Sequence, residues 1–165
     1  MPELPETETI ARDLHEAVAG RIIDRVVVTR ADVLREASAA ELARRAEVAA
    51  IERAWRRAKL VVLDLSTGDR VVVQPRFTGA VLIDAPPDRP LPDAERRYST
   101  LQLRLDDGRA LHYRDIRRLG TVALMAPERW NAYSRSLGVE PLDPAFSAEH
   151  LSALLRGSRP AVKKL

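Results

Sequence analysis

Between residues 22 and 125 the chain divides into eight short runs rich in Val, Leu and Ile, at 22–29, 48–57, 60–66, 70–74, 79–84, 98–105, 109–114 and 120–125. Alternating or β-branched runs of this length, bounded by turn formers, read as strands. Two of the breaks, Ser66-Thr67-Gly68-Asp69 and Asp106-Asp107-Gly108, are compact turn signals with hairpin spacing. Short strands joined this way predict an antiparallel β-sandwich or barrel of about eight strands.

Helical patterns flank this region. Residues 5–20 place Ile10, Leu14 and Val18 on one face and end at Gly20, the signature of an amphipathic helix with a C-terminal stop. Residues 39–47 predict a short intervening helix, and the Pro-rich segment 85–92 predicts a surface loop. After Ala126 the pattern turns helical, with candidates at 127–135 and 147–155 joined through Leu137-Gly138-Val139-Glu140-Pro141-Leu142. The class is therefore α+β, with a β domain over 1–129 and the start of a helical domain over 130–165. A further helix begins around Pro160, suited to a first helical turn, and the chain stops at Leu165. One turn is not stable alone, so the expectation is a fragment, or a short product, with an incomplete second domain.

At 165 residues, with 45% hydrophobic and 31% charged, the chain is long enough to bury one real core. It has no apolar run of about eighteen residues and no signal or transit pattern, so cytosol, without a membrane partner, is the expected location. The absence of cysteine excludes disulfides and thiolate-bound zinc within these residues, and His15, His112 and His150 lack metal-ligand spacing. No cofactor is expected in this chain. A net charge of +3 permits a polyanionic partner, and basic residues gather at Arg53-Arg56-Arg57-Lys59, Arg96-Arg97, Arg114-Arg117-Arg118 and Arg156-Arg159-Lys163-Lys164. A solvated charged face is the alternative use of the same residues.

Two places carry chemistry. Removal of Met1 would leave Pro2 as a free secondary amine beside the Glu3 carboxylate. An α-amino group ordinarily titrates at about 7.7–8.0, so an appreciable fraction is neutral and nucleophilic near physiological pH. Attack on a sugar C1′ yields an iminium, an electron sink that activates the neighbouring carbon toward elimination, with Glu3 as proton shuttle. Lys59 is the only lysine before Lys163 and Lys164. Unlike a guanidinium, its ammonium can release a proton and places a compact charge beside a phosphate or a leaving oxygen.

Pro2, Glu3, Leu4, Pro5, Glu6, Glu8 and Thr9 together resemble the opening of the formamidopyrimidine-DNA glycosylases. Related endonuclease VIII enzymes usually carry Gly where this chain has Leu4. Lys59, at the start of the strand Leu60-Val61-Val62-Leu63-Asp64-Leu65, looks like the family's catalytic lysine, and the resemblance implies that Glu6 helps organise the pocket. Gln74-Pro75-Arg76-Phe77-Thr78-Gly79 stands where the family turn usually reads His-Leu-Gly-Met-Ser-Gly, with Phe77 in place of the inserting methionine. A core aromatic is the other use of Phe77. Tyr113-Arg114-Asp115-Ile116-Arg117-Arg118-Leu119-Gly120 resembles the Asp-Pro-Arg-Arg-Phe-Gly loop. There Arg117 would fill the space of an extruded nucleotide, Arg118 would face the DNA, and Leu119 would wedge the partner strand with less stacking than an aromatic. Tyr98 stands where a DNA-contacting histidine is often found.

Leu137–Leu142 resembles the family's entry into its helical domain, and Ser158-Arg159-Pro160-Ala161-Val162-Lys163 the start of its helix-two-turn-helix, where Arg159 would contact a phosphate. Longer relatives continue to a Gly-Asn turn and a four-cysteine zinc finger, so structural zinc is expected only in a full-length form. The resemblance implies a monomeric bifunctional DNA glycosylase and abasic-site lyase acting on damaged double-stranded DNA, removing oxidised purines. A noncatalytic DNA-binding remnant and an endonuclease VIII-like enzyme for oxidised pyrimidines are the alternatives.

Overall fold

The computed structural model describes residues 3–84 and 90–156. Pro2, Arg159, the helix expected at Pro160 and most of the loop expected at 85–92 lie outside the described residues.

Helix α1 spans Leu4–Val18 and buries Thr7, Ala11, Leu14 and Val18, which lie three and four residues apart on one face. Ile10 is partly buried beside them. The helix stops where Gly20 adopts φ 80°, a left-handed conformation that costs a residue without Cβ little, and the Gly20 N–H donates to the Ile51 carbonyl at 2.8 Å.

Nine strands follow among the described residues: β1 (Ile23–Val28), β2 (Leu34–Arg35), β3 (Ile51–Arg57), β4 (Leu60–Leu65), β5 (Arg70–Gln74), β6 (Gly79–Ile83), β7 (Ser99–Leu105), β8 (Ala110–Asp115) and β9 (Thr121–Met125). They form a four-stranded sheet, β1-β7-β8-β6, and a five-stranded sheet, β2-β9-β5-β4-β3. Every pairing is antiparallel except β2 with β9. The eight sequence runs each yield a strand. The two-residue β2, the 3₁₀ turn Ala31–Val33 and the helix α3 (Asp93–Arg96), which follows α2 (Ala39–Ala46), are too short for periodicity to reveal.

Side chains from both sheets meet in one core, with Ile23, Leu101, Leu103 and Leu111 from the first and Val61, Leu63, Val71, Val73 and Leu124 from the second. Helix α1 packs on β3, β4 and β6 and so covers one open side of the sandwich, while α2 packs on β1 at the other. The outer face of the five-stranded sheet is also buried. Helix α4 (Pro127–Ser136) sets Trp130 against Leu60, Val62, Val72, Ala123 and Met125, with Trp55 edge-on to Trp130 at 5.6 Å. This is why β4 reads Leu-Val-Val-Leu without alternation, since both of its faces meet apolar neighbours. Helix α5 (Ala148–Leu155) has no buried residue.

Register decides what the sandwich displays. Gln74 pairs with Thr121, Gly79 with Asp115, and Ser99 with Arg114. The short links 75–78 and 116–120 cross between sheets, so the corresponding strand ends share one rim, with the β3–β4 hairpin tip beside them. The turns at 66–69 and 106–109 lie at the opposite rim.

Candidate functional site

The rim carries two clusters. In the first, Glu3 caps α1 in a capping box with Glu6, whose Oε2 accepts the Glu3 backbone N–H at 3.0 Å. The Glu3 carbonyl accepts both the Thr7 N–H at 3.1 Å and the Thr7 hydroxyl at 2.6 Å. Glu6 thereby fixes the Glu3 backbone at the start of the helix. Lys59 Nζ lies 3.8 Å from Glu3 Oε1, and the two side chains are 39% and 49% exposed, open to a ligand. Three of the four expected catalytic residues are therefore neighbours, and Pro2 lies outside the described residues.

Lys59 sits on a two-residue hairpin tip, with Ala58 at φ 51° between the paired Arg57 and Leu60. A partly buried ionic clamp holds that tip. Arg56 bridges Glu8 at 2.8 Å and Glu140 at 2.7 Å, and donates to the Ala58 carbonyl at 3.0 Å. Arg57 reaches Glu140 at 2.8 Å and the Ser134 carbonyl at 2.9 Å, while Glu140 also accepts the Ala58 N–H. Burial alone would raise the Glu140 carboxyl, but Arg56, the Ala58 amide and Arg57 together hold it below the usual carboxylate range. Glu8 is lowered chiefly by its hydrogen bond from Arg56. In sequence Glu140 belongs only to the segment leading into the helical domain, whereas in the fold it anchors the lysine hairpin.

The second cluster centres on Asp115, at 1% exposure. Its Oδ1 accepts the Thr78 hydroxyl at 2.7 Å and the Arg117 N–H at 3.2 Å. Its Oδ2 accepts the Tyr113 hydroxyl at 3.0 Å and the Gly120 N–H at 2.8 Å. The Arg117 N–H also donates to Thr78 Oγ1 at 3.1 Å, so one carboxylate ties the Phe77 turn to the Arg117 loop. Burial opposes ionisation of Asp115, yet the donors from Thr78, Gly120, Tyr113 and Arg118 outweigh it and hold the carboxyl below its ordinary value. Burial next to that charge pushes the Tyr113 phenol far up, which keeps it a proton donor.

The tied loops present apolar groups to solvent. Phe77 is 62% exposed, not a core aromatic, and adopts φ 23°. The Arg117 guanidinium lies 5.8 Å from its ring centroid, and Ile116 and Leu119 are exposed alongside. Arg118, at φ 53°, pairs with Asp32 at 3.0 Å, and the Tyr98 ring carries Arg97 at 4.6 Å. The altered Gln74-Pro75 sequence still closes its turn, for the Gly79 N–H donates to the Arg76 carbonyl at 2.5 Å. Phe77, Tyr98, Arg117, Arg118 and Leu119 thus share the rim with Lys59, whereas Arg159 lies outside the described residues.

The residues present do not fit a structural zinc: the sequence has no cysteine, and the described residues hold no group of three or more His, Asp or Glu able to bind a metal. No described helix is long and apolar enough to cross a membrane.

Comparison with known proteins agrees with this geometry. Residues 1–122 match the model of the formamidopyrimidine-DNA glycosylase N-terminal domain. The chain is 35% identical over 171 residues to a formamidopyrimidine-DNA glycosylase of Cereibacter sphaeroides, covering 99% of this chain and 59% of that protein. It is 36% identical over 166 residues to one of Xanthomonas campestris, covering 99% and 58%. Its fold superposes with a TM-score of 0.84, at 24% identity, on the Lactococcus lactis formamidopyrimidine-DNA glycosylase bound non-covalently to DNA containing an AP site, over 99% of this chain and 61% of that one. The chain spans about three fifths of the length of these relatives. The family match over residues 1–122, with the 35% identity along nearly the whole chain, places this chain in the formamidopyrimidine-DNA glycosylase family, as its N-terminal portion.

Proposed function

We propose that the chain is the catalytic portion of a base-excision DNA glycosylase and abasic-site lyase that removes oxidised purines, such as 8-oxoguanine and formamidopyrimidines, from double-stranded DNA. The observation that carries this reading is the 3.8 Å approach of Lys59 to Glu3, the residue next to Pro2, on the rim that also exposes Phe77 and Arg117. In the proposed sequence the Pro2 nitrogen attacks C1′ of an extruded nucleotide, and the C1′–base bond breaks with a proton delivered to the departing base. The sugar ring then opens, O4′ taking a proton, to leave an iminium between Pro2 and C1′. Loss of a C2′ proton expels the 3′ phosphate. Glu3 moves protons at the sugar, Lys59 meets the phosphate or leaving oxygen, and Glu6 keeps Glu3 in place. Phe77, Arg117 and Leu119 would occupy the gap left in the base stack, with Tyr98, Arg118 and Arg159 on the backbone.

The same reading makes residues 1–129 the catalytic domain and 130–165 the start of a DNA-binding helical domain, in a monomeric cytoplasmic enzyme. The test is borohydride reduction of the chain, with Met1 removed, mixed with a duplex holding 8-oxoguanine. The expected result is a covalent protein–DNA adduct mapping to Pro2 and absent from Pro2→Ala with Met1 retained. DNA retention with no adduct from any damaged duplex would overturn the catalytic reading in favour of a noncatalytic DNA-binding protein. Preferential trapping on oxidised pyrimidines would instead indicate an endonuclease VIII-like specificity.

A further inference from the structure

We infer that His112 is a positioning residue for the rim residue Tyr98, acting through the Ser99 hydroxyl, and that it makes duplex binding tightest when both of its ring nitrogens carry hydrogen. This rests on the DNA reading above and deepens it. His112 lies on the outer face of β8, between Leu111 and Tyr113, which turn into the core, yet it is only 3% exposed. The proposed chemistry makes no use of it. Its Nε2 lies 3.3 Å from Asp84 Oδ1, and its Nδ1 lies 3.1 Å from Ser99 Oγ. Asp84 is itself fixed, its two oxygens accepting the Leu91 and Ala110 N–H groups at 3.0 Å each.

Ser99 opens β7 immediately after Tyr98, and it stands at a bulge. Ser99 pairs with Arg114 and Leu101 with Tyr113, so Thr100 is the extra residue on its strand. A bulge re-aims the chain, here where Tyr98 on the rim leads into the strand. Hydroxyls hold it: Thr100 donates to the Tyr113 carbonyl at 3.0 Å, Thr29 to the Ser99 carbonyl at 2.5 Å, and Ser99 to the Leu101 carbonyl at 3.1 Å. Among the described side chains bonded to this bulge, His112 alone is of a type that changes charge near neutral pH.

The hydrogens available fix what that charge does. A carboxylate only accepts, so Nε2 must donate to Asp84. The Ser99 hydroxyl has one hydrogen, and it can stay on the Leu101 carbonyl only if Nδ1 donates to Ser99 Oγ. All three bonds are met when the ring is doubly protonated. With a neutral ring, Ser99 either turns its hydrogen to Nδ1 and releases Leu101, or leaves lone pairs facing each other. Loss of the proton therefore loosens the bulge by one hydrogen bond, next to Tyr98. The other charged groups around the ring come from α3, β7 and β8: Arg96 is held by Asp93, Arg114 by Glu95, Arg97 rests on the Tyr98 ring, and Arg104 is exposed. These arginines stay charged throughout, so they add no titration of their own.

The test measures affinity for a duplex holding a stable abasic-site analogue by fluorescence anisotropy, at constant ionic strength from about pH 5.5 to about pH 8, for the unaltered chain, His112→Arg and His112→Gln. Arginine supplies permanent donors and charge, and glutamine permanent neutrality. Affinity of the unaltered chain should fall roughly two- to tenfold as pH rises, the effect of one hydrogen bond. His112→Arg should hold the acid value throughout, and His112→Gln the weaker alkaline one. Ser99→Ala, which keeps the His112–Asp84 contact but cuts the link to Tyr98, should lose the same pH dependence. Thermal melting run in parallel identifies the folded variants, and a merely structural role would move melting without moving the pH profile. His15 and His150 remain in every variant, so a slope that they cause would persist. Folded variants that keep the slope of the unaltered chain, or an unaltered chain with no slope, overturn the positioning role and leave the DNA reading standing. No binding of the duplex by the unaltered chain at any pH removes both.

Discussion

Replacing Asp115 by asparagine isolates the carboxylate that ties the two rim loops together. Each of its oxygens accepts one fixed backbone N–H and one rotatable hydroxyl: Arg117 N–H and Thr78 on Oδ1, Gly120 N–H and Tyr113 on Oδ2. An asparagine amide keeps one oxygen and turns the other position into a donor. The hydroxyls can rotate to accept from it, but the backbone amides cannot, so either rotamer leaves one N–H facing another donor. A buried donor left unsatisfied costs about 1–3 kcal/mol, and the loss of charge-assisted bonds adds to it, so roughly 2–4 kcal/mol is expected for Asp115→Asn. For a chain of this size each kcal/mol lowers Tm by about 2–4 °C.

The sign of the pH dependence is a second check. The Asp115 carboxyl is depressed in the folded chain, so its stabilisation is fully present above the ordinary aspartate value and is lost as pH falls through the depressed one. The gap between the parent and Asp115→Asn should therefore be widest near neutrality and narrow in acid. Equilibrium urea unfolding at neutral and acid pH measures both quantities. A variant within about 0.5 kcal/mol of the parent at neutral pH, or a gap that widens in acid, would refute the assignment of this carboxylate as the loop tie.

Two further substitutions probe the same scaffold. A Cβ at Gly120 would stand 1.9 Å from the Tyr113 hydroxyl oxygen and 2.6 Å from the Gln74 carbonyl oxygen, so Gly120→Ala must displace backbone and should lose about 1–3 kcal/mol, read by thermal melting. Val48 is 86% exposed at φ 61°, where a β-branched side chain is strained and makes little compensating contact. Val48→Asn, which tolerates that region, should gain about 0.5–1 kcal/mol in urea unfolding, and a loss would show that Val48 contributes through contacts instead.

Local chemistry wrote much of this protein in plain view. The strand runs, the Gly20 stop and the compact turns follow from periodicity and turn residues, because those signals act over a few positions. The resemblance of Pro2–Thr9, Lys59 and the Arg117 loop was equally legible, because each is carried by neighbouring residues. What surrounds them was not. Arg57 and Glu140 stand 83 residues apart, and nothing in their spacing says that they meet beneath the lysine hairpin. Composition alone reads Phe77 as a core aromatic, and only its place in the family turn pointed to exposure, while Asp115 reads as an ordinary loop acid until β8 brings it under Thr78 and Gly120. Sequence determined which segments become strands and helices through short-range steric and hydrophobic preference; only the closing of two sheets over one core decided which charges are paired, because that pairing is a matter of distance in space.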